Sequence, residues 1–268
     1  MDKLVVNGGK ELSGRVEISG AKNAVLPIMA SSLLAEGTTT IKNVPNLRDT
    51  RTFIKLLSIL GANCNFEGSL LTIDANNITS LEAPYDLVKT MRASFYVMGP
   101  LLGRFGETKV SLPGGCAWGP RPVDYHLKGF EKLGAKIDLN QGYILASAKN
   151  LKGGSVSFKI ASVGATANIL MAAVLASGKT TIANAAIEPH IVQLCDVLIK
   201  MGADISGVGT NHLIVNGVEK LSPVEITVIP DMIEAGTFLM AGASLGDVEL
   251  VNVDPSHLSI VLEKLHEA

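Results

Sequence analysis

The residues best suited to chemistry lie in one loop, residues 112–126, which holds a cysteine, an arginine and the only tryptophan of the chain. Three glycines and three prolines predict a shaped loop between a strand and a helix. Cys116 lies among the glycines, and an accessible thiol near Arg121 is expected to have a lowered pKa. Such a thiol suits a proton donor or a nucleophile near neutral pH. Cys64, in or near a strand, and Cys195, on a helix, fit packing roles instead.

Two cations, Lys22 and Arg92, lie just before predicted helices. Helix N-termini attract anions and disfavour cations, so this placement makes electrostatic sense if phosphate or carboxylate groups bind there. Ordinary surface cations are an equally good interpretation of the two residues. Polar or glycine-rich segments also precede helices at 162–166 and 230–234. His126 has the chemistry of an acid or base, but the sequence does not distinguish it from the other histidines.

These segments belong to a helix–strand–helix–strand–strand pattern that recurs about every 70 residues. One marker is a small-residue helix that ends in glycine and is followed by a β-branched strand, so the glycine is expected to be a left-handed cap. The glycines of this marker are Gly37, Gly106, Gly178 and Gly246. A second marker, a helix ending in Gly-Ala, has Gly61, Gly134 and Gly202. In the second repeat we predict strands at 136–139 and 143–146, joined by a hairpin turn at 140–142.

The fourth repeat begins where the period of about 70 residues predicts it, and its second helix is predicted at 258–268. The next Gly-Ala turn is due at the first positions after that helix. Because two strands would then complete the repeat, we expect the sequence to be part of a longer chain. A degenerate last repeat with a true C-terminus is the alternative.

Composition excludes several classes of protein. Hydrophobic residues make up 47% of the chain and charged residues 18%, which excludes disorder. The net charge of -2 and the scattered cations argue against a nucleic-acid binder. The first residues show no apolar core of signal-peptide length, and no apolar run approaches a membrane span. Three widely spaced cysteines indicate neither a disulfide framework nor a zinc site, so a reduced, cytoplasmic location is expected.

The ordered motifs resemble those of the UDP-N-acetylglucosamine 1-carboxyvinyltransferase (enolpyruvyl transferase) family along all 268 residues. Residues 20–27 match the opening motif of that family. Residues 113–117, 121–124 and 126–127 match its catalytic loop, and 162–166 and 230–238 match two further motifs. Each motif alone is weak evidence, but together they follow the order of the family and the register of the repeats.

The resemblance implies an α/β (α+β) fold, an inside-out α/β barrel built from repeated βαβαββ units in two domains. Residues 22–229 would form a complete three-repeat domain. Residues 1–21 and 230–268 would form part of a second, truncated domain. The resemblance implies no cofactor and no metal, and the oligomeric state stays open.

The implied reaction transfers the enolpyruvyl group of phosphoenolpyruvate to the 3-hydroxyl of UDP-N-acetylglucosamine and releases phosphate, the first committed step of peptidoglycan synthesis. Cys116 is the implied general acid that protonates the methylene carbon. Lys22 and Arg121 would hold the phosphate and carboxylate groups, with Arg92 adding positive charge. Asn23 would contact the sugar. The residues implied to line the uridine diphosphate are Arg121, Pro122, Val123, Asp124, Tyr125, Ser162, Val163 and Gly164.

The sequence departs from the family pattern in two ways. Trp118 and Pro120 replace an aliphatic residue and a small or polar residue in the loop, which is expected to stiffen it. An aspartate and two arginines of the family's cleft have no counterpart in the 268 residues, so the chain alone is expected not to turn over. The resemblance also implies that fosfomycin labels Cys116 and spares Cys64 and Cys195.

Three alternative functions compete with this interpretation. The transferase that acts on shikimate 3-phosphate shares the repeat and the basic cleft but lacks the loop cysteine, so 113–116 argues against it. RNA 3′-phosphate cyclase, related by fold, has no specific support in the sequence. A remnant that binds a nucleotide sugar or a partner protein without catalysis would agree with the missing cleft residues.

Overall fold

The computed structural model describes residues 3–112 and 123–268. The chain divides into two compact units, Lys22–Ile229 and the combination of Met1–Ala21 with Pro230–Ala268. The larger unit holds most of the buried apolar side chains.

In chain order, the first elements are β1 (Leu12–Glu17), α1 (Lys22–Ser31), β2 (Thr38–Lys42), α2 (Arg48–Leu60), β3 (Asn63–Glu67), β4 (Leu70–Asp74) and β5 (Glu82–Ala83). The next are α3 (Tyr85–Val88), α4 (Met98–Phe105), β6 (Glu107–Ser111), α5 (Asp124–Lys132), β7 (Lys136–Asn140), β8 (Tyr143–Ser147) and β9 (Ser155–Ser157). The last are α6 (Val163–Ala173), β10 (Lys179–Ala183), α7 (Pro189–Lys200), β11 (Asp204–Ser206), β12 (His212–Asn216), β13 (Glu225–Thr227), α8 (Met232–Leu245), β14 (Gly246–Val251) and α9 (Ser259–Glu267). Short 3-10 helices span Ser32–Leu34, Arg92–Val97 and Pro255–Leu258.

Three four-stranded sheets of the larger unit share one strand order: β13-β2-β4-β3, β5-β6-β8-β7 and β9-β10-β12-β11. In each sheet a strand of two or three residues pairs in parallel with the first long strand, and the other neighbours are antiparallel. The last strand of the unit, β13, pairs with β2, which lies near the start of the unit. Ile226 of β13 lies opposite Ile41 of β2. The predicted βαβαββ repeat is therefore confirmed.

Two kinds of helix alternate in the larger unit. The inner helices α1, α4 and α6 are buried on most sides, because their residues are mainly small or aliphatic. The outer helices α2, α5 and α7 bury one face each. Helices α4 and α6 approach so closely that a Cβ on Gly99 would lie 2.4 Å from the carbonyl oxygen of Asn168. This contact fixes the position of α6 relative to α4. The N-terminus of α6 reaches the site described below.

The glycine markers behave as predicted in three of four repeats. Gly37, Gly106 and Gly178 have φ values of 112°, 77° and 92°, the left-handed conformation expected after a helix. Gly246 differs, with φ 159° and ψ -147°, so the prediction of a left-handed cap is wrong there. A Cβ on Gly246 would lie 1.9 Å from the carbonyl oxygen of Leu12, so close strand approach requires this glycine.

The hairpin predicted in the second repeat is confirmed. Strands β7 and β8 pair antiparallel from Lys136 opposite Ser147 to Asn140 opposite Tyr143. The two turn residues both have positive φ, 50° at Gln141 and 80° at Gly142, which is the two-residue turn that suits the twist of paired strands.

The smaller unit begins a repeat of the same kind. Strand β1 pairs in parallel with β14, and Ile18, Ala235 and Leu258 form its buried apolar cluster. Asp231 caps α8, since its side chain accepts hydrogen bonds from the backbone N–H groups of Ile233 and Glu234. In the part of the chain that the structure describes, none of the helices combines the length and the apolar character needed to cross a bilayer.

Candidate functional site

A cavity of about 890 Å³ lies within the unit Lys22–Ile229, where several helices begin. Lys22 and Asn23 belong to the first turn of α1, and Gly164 to the first turn of α6. Asp124 and His190, which also line the cavity, belong to the first turns of α5 and α7. The partial positive charge of four helix N-termini therefore acts on one space. This arrangement favours an anionic ligand.

The structure brings eight of the twelve predicted site residues to this cavity. They are Lys22, Asn23, Arg92, Asp124, Tyr125, Ser162, Val163 and Gly164. Val123 is the residue that precedes α5 and does not line the cavity wall. Cys116, Arg121 and Pro122, together with Trp118 and Pro120, lie outside the described residues.

The two predicted cations lie on different segments of the chain that line the cavity. Arg92 begins the 3-10 helix that leads into α4. Lys22 begins α1, and its Nζ atom lies 3.4 Å from Oδ2 of Asp49 on α2. Both side chains of this ion pair are partly exposed, so the pair orients Lys22 more than it stabilises the fold. Sequence reasoning missed Asp49, because nothing in its local pattern separates it from an ordinary acidic residue in the first turn of a helix.

A buried polar cluster forms one wall of the cavity. His126 is 6% exposed and meets the ring of Phe95 edge-on, with centroids 4.9 Å apart. Its Nδ1 lies 3.1 Å from Nδ2 of Asn168, which is fully buried on α6. Burial and the positive charge of Arg92 lower the pKa of His126 to about 3, against an opposing effect of Asp124. His126 is therefore a neutral imidazole near pH 7.

Aromatic and apolar side chains form the rest of the wall. The rings of Tyr125 and Phe158 lie 5.7 Å apart at an angle of 55°. Tyr96 lines the cavity, and burial raises the pKa of its hydroxyl to about 12, although Arg92 acts in the opposite direction. Ile160 is 73% exposed at the cavity. A mixed wall of this kind suits a ligand with an anionic group and a flat or apolar group.

The two described cysteines have the packing roles expected of them. Burial raises the pKa of Cys64 to about 11 and that of Cys195 to about 12, so both thiols stay protonated near neutral pH. Among residues 3–112 and 123–268, no group of three histidine, cysteine, aspartate or glutamate side chains is placed to hold a metal ion.

Comparison with solved structures defines the class of fold. The structure is similar to the enolpyruvyl transferase NikO from Streptomyces tendae, with a TM-score of 0.81 and 26% identity over 91% of this chain and 58% of that one. It also shares its fold with EPSP synthase from Acinetobacter baumannii, with a TM-score of 0.77 and 22% identity over 97% of this chain and 60% of that one. The predicted fold class, that of the enolpyruvyl transferases, is confirmed.

The sequence comparisons name the family. Residues 6–268 match the family model described as EPSP synthase (3-phosphoshikimate 1-carboxyvinyltransferase), and the chain belongs to this family of transferases. A relative from Chloroherpeton thalassium, named UDP-N-acetylglucosamine 1-carboxyvinyltransferase, is 56% identical over the whole chain. A relative of the same name from Prosthecochloris aestuarii is 54% identical over the whole chain. The resemblance inferred from the motifs is confirmed. The chain spans 63% and 64% of the lengths of these relatives.

Proposed function

We propose that the chain carries the nucleotide-sugar and phosphoenolpyruvate site of a UDP-N-acetylglucosamine 1-carboxyvinyltransferase. The observation that carries this proposal is the cavity on which four helix N-termini converge with Lys22 and Arg92. Two multiply charged anions, a diphosphate and phosphoenolpyruvate, need such a concentration of positive potential. The relatives named above, at 54% identity and more, support the nucleotide sugar as the acceptor.

In the proposed reaction, the 3-hydroxyl of the sugar adds to C2 of phosphoenolpyruvate while the methylene carbon gains a proton. A tetrahedral intermediate forms and then loses phosphate and a methyl proton, which leaves the enolpyruvyl ether. We assign Cys116 as the acid that protonates the methylene carbon, and Lys22 and Arg121 as the cations that bind phosphoenolpyruvate. Arg92 would add positive charge, which stabilises the developing anion and the leaving phosphate.

Binding of the nucleotide sugar is assigned to three segments. Asn23 would contact the sugar, and 121–125 and 162–164 would line the uridine diphosphate. The first turn of α6 supports this assignment, because Ser162 caps the helix, with its side-chain oxygen accepting from the N–H of Ala165 at 3.3 Å. The preceding N–H groups then stay available to a phosphate.

The two units of the structure are proposed to be the two domains of this transferase. Lys22–Ile229 would be the three-repeat domain, and Met1–Ala21 with Pro230–Ala268 a part of the other. A role in cytoplasmic peptidoglycan synthesis, and therefore in cell shape and division, follows from the proposed reaction. Alkylation of Cys116 by fosfomycin belongs to the same proposal.

Calorimetric titration of the 268-residue chain tests the proposed substrate. We expect UDP-N-acetylglucosamine to bind more tightly than shikimate 3-phosphate. Replacing Arg92 by glutamine is expected to weaken the nucleotide sugar by about tenfold or more, because a hydrogen bond to a charged group in a partly buried site is lost. Binding of shikimate 3-phosphate in preference to the nucleotide sugar would contradict the proposal.

Arg51→Gln is the matched control for the loss of one positive charge. Arg51 lies on α2, is exposed, and donates through Nε to Oδ1 of Asn46 at 2.8 Å, away from the cavity lining. Its replacement is expected to leave the affinity within about twofold, because exposed charges are screened by solvent and salt. Equal losses of affinity in the two variants would show that binding depends on the net charge of the chain and not on the position of Arg92.

A non-catalytic binding remnant is the second candidate, and it shares the substrate site. The cavity with its four helix N-termini supports binding of an anionic ligand for this candidate as well. Because the chain alone is expected not to turn over, release of phosphate from phosphoenolpyruvate in the presence of both substrates would exclude the non-catalytic remnant.

A further inference from the structure

The amide of Asn168 has only one orientation that satisfies its neighbours. Its Oδ1 atom accepts from the backbone N–H of Gly99 at 2.8 Å, and its Nδ2 atom donates to the backbone carbonyl of Phe95 at 3.2 Å. A flipped amide would place two donors together at Gly99 and two acceptors together at Phe95. Because Asn168 is fully buried, water cannot relieve those conflicts.

This orientation determines the tautomer of His126. The second hydrogen on Nδ2 of Asn168 is directed to Nδ1 of His126, 3.1 Å away, so Nδ1 must accept. A neutral imidazole that accepts at Nδ1 carries its proton at Nε2. The edge-on contact with Phe95 holds the plane of the ring.

The protonated Nε2 edge of His126 faces the N-terminal turn of α6. A Cβ on Gly164 would lie 3.2 Å from both Nε2 and Cε1, so the glycine leaves room for the imidazole against the backbone. Both His126 and Gly164 line the cavity. Within residues 3–112 and 123–268, His126 makes its hydrogen bond to Asn168 through Nδ1, which leaves Nε2 on the side of Gly164.

We propose that Asn168 is a positioning residue that holds His126 as a neutral Nε2–H donor, and that this N–H donates to an anionic oxygen of the ligand in the cavity. The proposal rests on the proposed function only for the identity of that ligand, a nucleoside diphosphate sugar. Arg92 and the helix N-terminus attract an anionic ligand through long-range charge. A neutral N–H donor held beside them would add a directional hydrogen bond, which orients the ligand.

Nuclear magnetic resonance of the native chain tests the tautomer directly. Long-range proton–nitrogen correlations at pH 7 are expected to show a protonated Nε2 and an unprotonated Nδ1 for His126. In Asn168→Asp, a carboxylate oxygen replaces the Nδ2 donor, so the proton is expected to move to Nδ1 or to occupy both nitrogens. A native ring protonated at Nδ1 would overturn the proposal, whether or not the variant folds.

Two substitutions of His126 test the donated hydrogen bond. Glutamine can place its amide N–H near the position of Nε2, whereas asparagine reaches only the position of Nδ1. His126→Asn is therefore expected to weaken the binding of UDP-N-acetylglucosamine by about tenfold or more, and His126→Gln by about threefold or less. Equal losses in two variants that unfold at similar temperatures would assign His126 to packing alone and overturn the proposal.

Inorganic pyrophosphate separates failure of this inference from failure of the proposed function. Addition of pyrophosphate to the native chain is expected to shift the Nε2 resonance of His126 and to leave those of exposed histidines such as His212 in place. If pyrophosphate shifts this resonance while the nucleotide sugar does not bind, the donor role holds and the proposed substrate is wrong. If neither ligand shifts it, the donor role is wrong.

Discussion

Replacement of Gly217 by alanine is expected to lower the free energy of unfolding by about 3 kcal/mol, because a Cβ at this position has no space. It would lie 1.5 Å from the carbonyl oxygen of Ala176, a backbone atom that cannot rotate away. This steric overlap can be removed only if the end of β12 or the turn before Gly178 moves. That movement would also strain the hydrogen bond from the N–H of Gly217 to the carbonyl oxygen of Gly178, 2.9 Å long. Urea denaturation of the native chain and the variant measures the difference.

The other repeats supply the matched control for Gly217. The residues that follow β4 and β8, Ala75 and Ala148, donate to the carbonyl oxygens of Gly37 and Gly106 at 3.0 and 2.7 Å. These positions are equivalent to Gly217, yet they carry a Cβ. Ala148→Gly, which removes a methyl group at the equivalent position, is expected to cost only about 1 kcal/mol. If Gly217→Ala costs no more than that, the close approach at Ala176 is not a constraint on the third repeat.

The repeat architecture was predictable because its signals are local and occur several times. Glycine after a helix and β-branched residues in the next strand are choices that the backbone imposes wherever the unit recurs. The strands that join one repeat to the next, such as Glu82–Ala83 and Glu225–Thr227, have only two or three residues. Such segments are too short for a period-2 pattern, so only the family resemblance implied them.

The candidate site was predictable only in part. Lys22 and Arg92 attract notice because a cation at a helix N-terminus opposes the local dipole. Asn168 gives no such signal, since one asparagine in an apolar helix is compatible with many roles. Its contacts with Gly99 and His126 join residues far apart in sequence, 69 and 42 positions away. Only the packing of α6 between α4 and α5 brings them together.

Acidification is expected to destabilise the fold through His126. In the unfolded chain a histidine titrates near pH 6.5, whereas burial and Arg92 lower the pKa of His126 to about 3 in the folded state. Between these values the unfolded chain binds a proton at this residue and the folded chain does not. The contribution of His126 to stability is therefore complete above about pH 6.5 and is lost progressively as the pH falls towards 3. The expected loss at pH 4, relative to pH 7, is about 3 kcal/mol, since each pH unit corresponds to about 1.4 kcal/mol.

His126→Gln isolates this effect from the titration of the carboxylates. Urea denaturation of both chains between pH 7 and pH 4 is expected to show a smaller loss in the variant, because glutamine does not titrate. Besides Phe95 and Asn168, which are neutral, Arg92 and Asp124 are the charged groups that act on the imidazole. Parallel pH profiles for the two chains would mean that His126 accepts a proton in the folded state and is not held neutral by the wall of the cavity.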